Sequence, residues 1–161
     1  MDKKILYFNP EIWDGKPWAS HLSEQEYFDV DYISTPKELF TALETTDKIY
    51  DLFMLSVIVP IVSFDESDWN RLTNSQKRGL DDGMKTGYVL GKIIRQTEKY
   101  KKVPIVFHET DCPKEMVGEA DFHFSSLTSY SDVTARIKEI LSGASMEYCQ
   151  LQAKNRLFQY T

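Results

Sequence analysis

Cysteine is almost missing from this chain. Cys112 and Cys149 stand far apart in 161 residues and match no metal-ligand spacing, so a disulfide framework or a thiolate zinc site is not expected. Long apolar runs are missing too. The apolar run after Met1-Asp2-Lys3-Lys4 lasts four residues before Asn9, too short for a secretory signal, and nothing approaches the roughly 20 apolar residues of a membrane span. A soluble, cytoplasmic protein away from membranes is the expectation. Positive charge is in deficit, with 19 Lys and Arg against 25 Asp and Glu and a formal net charge of −6. Nucleic acid is therefore not an expected partner, because a phosphate backbone needs a basic face to displace its counterions.

What is present suits one ordinary core. The chain is 42% apolar and 13% aromatic, at the length of a single domain. Ile5-Leu6-Tyr7-Phe8 reads as a strand covered on both faces. Residues 16–26 read as a helix with Trp18 and Leu22 on one face. Phe28, Val30 and Tyr32 alternate with Asp29 and Asp31, the pattern of a half-covered strand near a sheet edge. Thr35-Pro36-Lys37-Glu38 supplies a cap, a first-turn proline and a capping-box glutamate for a second helix carrying Leu39 and Leu43. Leu52 to Val59 is the third strand.

Residues 61–82 break this rhythm. They are polar, with Trp69 and Leu72 as isolated apolar anchors, and read as an insertion that is partly mobile or forms a short extra helix. Thr86-Gly87 opens a helix carried by Val89, Leu90, Ile93 and Ile94, and its tail from Arg95 to Lys102 reads as basic and solvated. Residues 103–107 and 122–124 are strands four and five. Ser129 to Asp132 caps a last helix that Gly143 ends. Residues 143–161 read as a helical extension that packs on the body, forms a homodimer seam, or leads to a partner or output domain. Strand–helix alternation implies a doubly wound parallel α/β sheet with its functional crevice at the carboxyl ends of the strands. The residues after Phe8, Leu55, Phe107 and Phe124 are then the ones that matter.

Four stretches carry a resemblance. Asp51-Leu52-Phe53-Met54-Leu55-Ser56-Val57-Ile58-Val59-Pro60 resembles the D-L-x-L-x-D-x-x-M-P strand of response-regulator receiver domains. Lys4 to Glu11 resembles their opening strand and acidic pair, Pro104 to Glu109 their P-I-I-V-L-T strand, and Ala120 to Leu127 their A-D-D-Y-L-T-K-P segment. The resemblance spans residues 3–142 and implies a five-stranded sheet of order 2-1-3-4-5, with residues 1–142 as the domain, 61–82 as an enlarged loop after strand three, and 143–161 as an extra helix.

The resemblance also implies a chemistry whose residues are missing. Asn9 and Pro10 stand where the acidic pair belongs, with Glu11 one position too far along. Ser56 replaces the aspartate that accepts the phosphoryl group, Glu109 the sensor hydroxyl, and Ser126 the lysine clamp. A hydroxyl forms no acyl phosphate, and Mg²⁺ wants carboxylate oxygens in near-octahedral order, so neither Mg²⁺ nor another cofactor is expected. Asn9 and Ser56 have a simpler reading as short polar residues satisfying backbone groups at strand ends. His108 reads as structural, and His21 has no partner that the sequence names.

The expectation is a degenerate receiver, not an enzyme, that acts in two-component signalling by holding a protein partner. Its interaction surface would include His123, Tyr130 and Arg136, where receivers place their output surface. An alternative rests on Leu80-Asp81-Asp82-Gly83-Met84-Lys85-Thr86-Gly87-Tyr88. This stretch faintly resembles the D-x-G-x-x-x-E-x-G-Y segment of nucleoside deoxyribosyltransferases and TIR-like enzymes, which cut glycosidic bonds, but Thr86 occupies the place of the nucleophilic glutamate. Gly83 and Gly87 also serve as plain punctuation before a helix.

Overall fold

The computed structural model describes residues 2–25, 27–45, 47–60, 63–80, 83–109, 122–125 and 129–143. Residues 110–121, Ser126 and the extension 144–161 lie outside the described residues. Five strands, β1 (Lys3–Phe8), β2 (Phe28–Ile33), β3 (Leu52–Leu55), β4 (Ile105–Glu109) and β5 (Phe122–Ser125), form one parallel sheet of order β2-β1-β3-β4-β5. The expected doubly wound architecture is what the chain builds.

Alternating side chains of the central strands feed two cores. Ile5, Tyr7, Leu52, Met54 and Val106 pack with α1 (Ile12–Ser23) and α6 (Tyr130–Leu141), through Trp18, Leu22, Val133 and Ile137. Leu6, Phe8, Phe53, Leu55 and Phe107 pack on the opposite face with α2 (Pro36–Glu44) and α5 (Thr86–Gln96), through Leu39, Phe40, Leu90 and Ile94. Both faces of β1 and β3 are covered, which is why their sequences run apolar without interruption. The α2 start forms as its residues dictate. Thr35 Oγ1 accepts the Glu38 N–H at 3.2 Å and donates to Glu38 Oε1 at 2.9 Å, with Pro36 in the first turn.

Three boundaries differ from expectation. The first helix begins at Ile12 rather than 16, and Pro17 lies inside it. Its start is held by Asp14 and Gly15, whose N–H groups both reach the Glu11 carbonyl, so the proline costs a mid-helix bond without setting the boundary. The third strand stops at Leu55, which puts Ser56 at the lip of the sheet instead of within it. The segment after α5 is not all solvated. Tyr100, in a 3₁₀ turn at Glu98–Tyr100, is fully buried with its ring 4.8 Å from Phe53, and its hydroxyl accepts the Tyr50 N–H.

The insertion is the largest departure. It holds two short helices, α3 (Glu66–Arg71) and α4 (Asn74–Arg78), each with a side-chain cap from Asp65 or Thr73. Phe64, Leu72 and Leu80 enter the core, and Trp69 packs against it from the surface. An Arg71–Glu44 ion pair, Arg71 lying over the Phe40 ring, and a Lys37–Asp65 pair at 3.3 Å tie α3 to α2. Leu72 is therefore a core residue rather than an isolated anchor, and Leu80 joins it there.

The open edge strand β2 carries a polar network. Asp31 Oδ2 accepts from the Tyr50 hydroxyl at 2.6 Å and pairs with Lys48 at 2.6 Å, and Lys48 also reaches Asp29 at 3.7 Å. Burial pushes the Asp31 carboxyl up, but the bonds from Lys48 and Tyr50 outweigh it and hold it below the usual range. The same burial and the same partner push the Tyr50 phenol up.

Candidate functional site

The strand order reverses direction between β1 and β3, and the crevice opens at their carboxyl ends. The Ser56 N–H donates to the Phe8 carbonyl at 2.9 Å, tying the two strand ends together. Asn9 and Ser56 are both 4% exposed. Pro10 is half-buried and Glu11 exposed at the entry of α1. Asn9, Pro10, Glu11 and Ser56 thus lie at one edge of the sheet. Glu109 ends β4 opposite Ser125 in the ladder; Ser126 falls outside the described residues.

Asn9 is fully committed to the fold. Its Nδ2 donates to the Tyr7 hydroxyl at 3.0 Å and to Asp14 Oδ2 at 2.9 Å, while Oδ1 accepts the Glu11 N–H at 2.9 Å. Its carbonyl accepts from the Tyr32 hydroxyl at 2.8 Å. The plain structural reading of Asn9 holds, and the amide has little left to offer a ligand. Truncating it removes three side-chain hydrogen bonds at once, the one to Tyr7 fully buried. Asn9→Ala should lower stability by about 2 kcal/mol in urea denaturation, since each unsatisfied buried group costs roughly 1–3 kcal/mol.

The loop from β3 to α5 is closed by backbone contact. Gly87 donates its N–H to the Val57 carbonyl at 2.8 Å, and a Cβ added there would stand 2.2 Å from the Ser56 carbonyl oxygen. Thr86, fully buried, donates its hydroxyl toward the Val59 and Gly83 carbonyls at 3.1 and 3.2 Å. Gly83 takes a positive φ of 73°. Of the stretch that resembles the glycosidase segment, Gly83, Thr86 and Gly87 are occupied in making this turn; Asp81 and Asp82 lie outside the described residues.

On the α1 side lies a cluster that the sequence reading did not assemble. His108 is 3% exposed, its ring edge-on to Trp18 at 4.6 Å, and its Nε2 is buried without a hydrogen-bond partner among the described residues. Burial pushes its imidazole down to about 4, against a smaller opposing pull from Asp14. Trp18 packs in turn on Tyr130 at 4.2 Å, and Tyr130 stacks on His21 at 4.7 Å. Alternation along β4 placed His108 on that face, yet nothing in the local sequence marked Trp18 and Tyr130 as its neighbours. Asp14 was missed because one acid in a first helical turn is the commonest of helix signals.

Of the surface residues expected to contact a partner, Tyr130 remains 41% exposed. His123 is half-buried on β5, and burial lowers its imidazole. Arg136 is a correction: it is 4% exposed, with Nη1 3.6 Å from Glu139 Oε2. It follows one helical turn behind Val133 on the inward side of α6, so its guanidinium does not present to solvent.

The geometry now permits comparison with known structures. Solved structures align over most of the chain. The chemotaxis protein CheY4 of Vibrio cholerae matches with a TM-score of 0.64 at 16% identity, covering 86% of this chain and 98% of its own. A CheY-like receiver domain protein from Methanospirillum hungatei gives 0.65 at 15%, covering 91% and 99%. A two-component response regulator from Clostridium difficile gives 0.64 at 17%, covering 88% and 98%. The fold is that of a receiver domain. No family model matches the sequence, and no curated protein matches it either.

Receiver chemistry implies Mg²⁺, an ion held by carboxylate and other oxygen ligands. Asn9 spends its amide on the fold, and Pro10 brings no side-chain oxygen. Ser56 presents a neutral hydroxyl. Among the described residues no three His, Cys, Asp or Glu side chains are grouped to hold a metal. Nor is any described helix long and apolar enough to cross a membrane.

Proposed function

We propose that this chain is a receiver-fold signalling module that holds a protein partner and does not undergo aspartyl phosphorylation. The observation that supports it best is the state of the strand ends. Where a receiver fold needs a carboxylate nucleophile, Ser56 lies 4% exposed under the start of α5. Where it needs metal-binding carboxylates, an amide stands already bonded to Tyr7, Asp14 and the Glu11 backbone. Phosphotransfer through an acyl phosphate requires the nucleophile, the cation and the clamp together, since charge neutralisation supplies most of the catalysis.

Without a phosphoryl group to bias two conformations, control passes to whatever binds differentially. Tyr130, 41% exposed, stacks on the half-buried His21 ring where α6 meets α1. Aromatic anchors of this kind dominate contact energy at protein interfaces. A signalling protein or an output domain is the partner class this reading names.

The test is incubation with Mg²⁺ and acetyl phosphate, or with beryllofluoride, followed by intact-mass spectrometry and amide spectra. No added phosphoryl mass and no shift around residues 9–11 and 56 are expected. Ser56→Asp alone should stay unmodified, because the cation site is still missing. A phosphoryl group mapped to any carboxylate of the wild-type chain would overturn the proposal.

A further inference from the structure

The insertion between β3 and α5 buries a carboxylate that its packing does not require. Asp68 sits in α3 at 3% exposure, and its Oδ2 has no hydrogen-bond partner among the described residues. Its Oδ1 is 3.9 Å from Arg71 Nη1, beyond hydrogen-bonding reach. The cations nearby are engaged elsewhere. On its own helix, Arg71 pairs with Glu44 of α2 and covers the Phe40 ring. From α2, Lys37 pairs with Asp65 at 3.3 Å. Asp65 itself adds negative charge, because its Oδ1 accepts the Asp68 N–H at 2.8 Å as the helix cap. Of the other bases on this segment, Lys77 lies over the Trp69 ring and Arg78 is exposed at the end of α4.

We propose that Asp68 makes the α3–α4 segment a proton-dependent cover over α2, held when its carboxyl is protonated and loosened when it ionises. An ionised carboxylate buried without a full partner costs several kcal/mol, and a short segment held by Leu72, Trp69 and a few surface ion pairs can escape that cost by lifting away. Neutral, the same side chain fits its place at little cost. Burial, and then the charge of Asp65, push this carboxyl above its usual range. The sign follows directly. The closed segment binds the proton more tightly than the open one, so closure strengthens as pH falls and weakens as it rises. Lifting the segment uncovers Phe40, now 5% exposed, between Lys37 and Glu44. The inference does not depend on the phosphorylation-silent reading, and each can fail alone.

Amide hydrogen exchange on the whole chain tests it, comparing residues 66–78 with β3 as an internal gauge of global unfolding. After correction for intrinsic rates, protection of 66–78 relative to β3 should fall by about threefold or more between pH 4, near the ordinary carboxylate value of 3.8, and pH 7.5. Asp68→Asn should raise protection at pH 7.5 and flatten the pH dependence. Protection in the wild type that stays level or increases with pH overturns the proposal, as does an Asp68→Asn chain that exchanges as fast as the wild type. If that variant does not fold, the wild-type series decides.

Discussion

Replacing Gly87 with alanine is expected to cost about 3 kcal/mol or more, at the upper end of what overpacking a filled site costs. A methyl group there meets the Ser56 carbonyl oxygen at 2.2 Å and the Val57 Cα at 2.6 Å. Both are backbone atoms, and neither can swing aside as a side-chain tip would. Either α5 retreats and loses the Gly87–Val57 hydrogen bond, or the end of β3 shifts and pulls on the Ser56–Phe8 bond. Alanine does favour the helix over glycine by about 1 kcal/mol. The clash is the larger effect because it sits where two elements already touch. For a chain of this size the loss corresponds to a fall in melting temperature of roughly 6–12 °C. A variant melting within 2 °C of the wild type would show that this contact yields easily.

The second large effect is acid sensitivity centred on His108. Its folded pKa is held near 4 by burial, against an ordinary value of 6.5. Above pH 6.5 the imidazole is neutral in both the folded and unfolded chains, and its full contribution is present. As pH falls from 6.5 to 4 the unfolded chain takes up the proton first, and stability is lost. A difference of about 2.5 pH units amounts to roughly 3 kcal/mol, at a slope of up to about 1.4 kcal/mol per pH unit. Burial depresses His123 too, so it adds in the same direction. Urea denaturation at half-unit intervals of pH should show the decline, and His108→Met should lose about one proton's worth of the slope. A slope unchanged in that variant would mean the histidine is not the group responsible. Asp68 runs the opposite way, so acid should tighten the insertion locally while loosening the domain as a whole.

Much of the fold was readable because strand and helix periods alternate cleanly. Leu52 to Leu55 is apolar throughout, as a doubly covered strand must be, and Thr35 to Glu38 names its own cap. The site was readable only as a set of replacements. Asn9 and Ser56 stand in register with residues of known role, but sequence could not say that Asn9 would be tied to Tyr7 and Asp14. Those bonds depend on how α1 sits over β1, a matter of tertiary packing. The insertion was misjudged for a related reason. Phe64, Leu72 and Leu80 are spaced too far apart to show a helical face, and their burial comes from two short helices folding back on α2. Arg136 was expected at the surface because receivers place their output surface there, and only its inward place on α6 corrects that.

The network on β2 bears on how copies of this chain meet. An unpaired outer strand is an invitation to edge-to-edge growth, which proteins discourage with charge. Asp29 and Asp31, with one lysine between them to share, would meet their own duplicates if a second copy extended the sheet there. Four carboxylates served by two ammonium groups make a poor seam. Self-association of this protein, where it occurs, is better accommodated through its helices than by lengthening the sheet past β2.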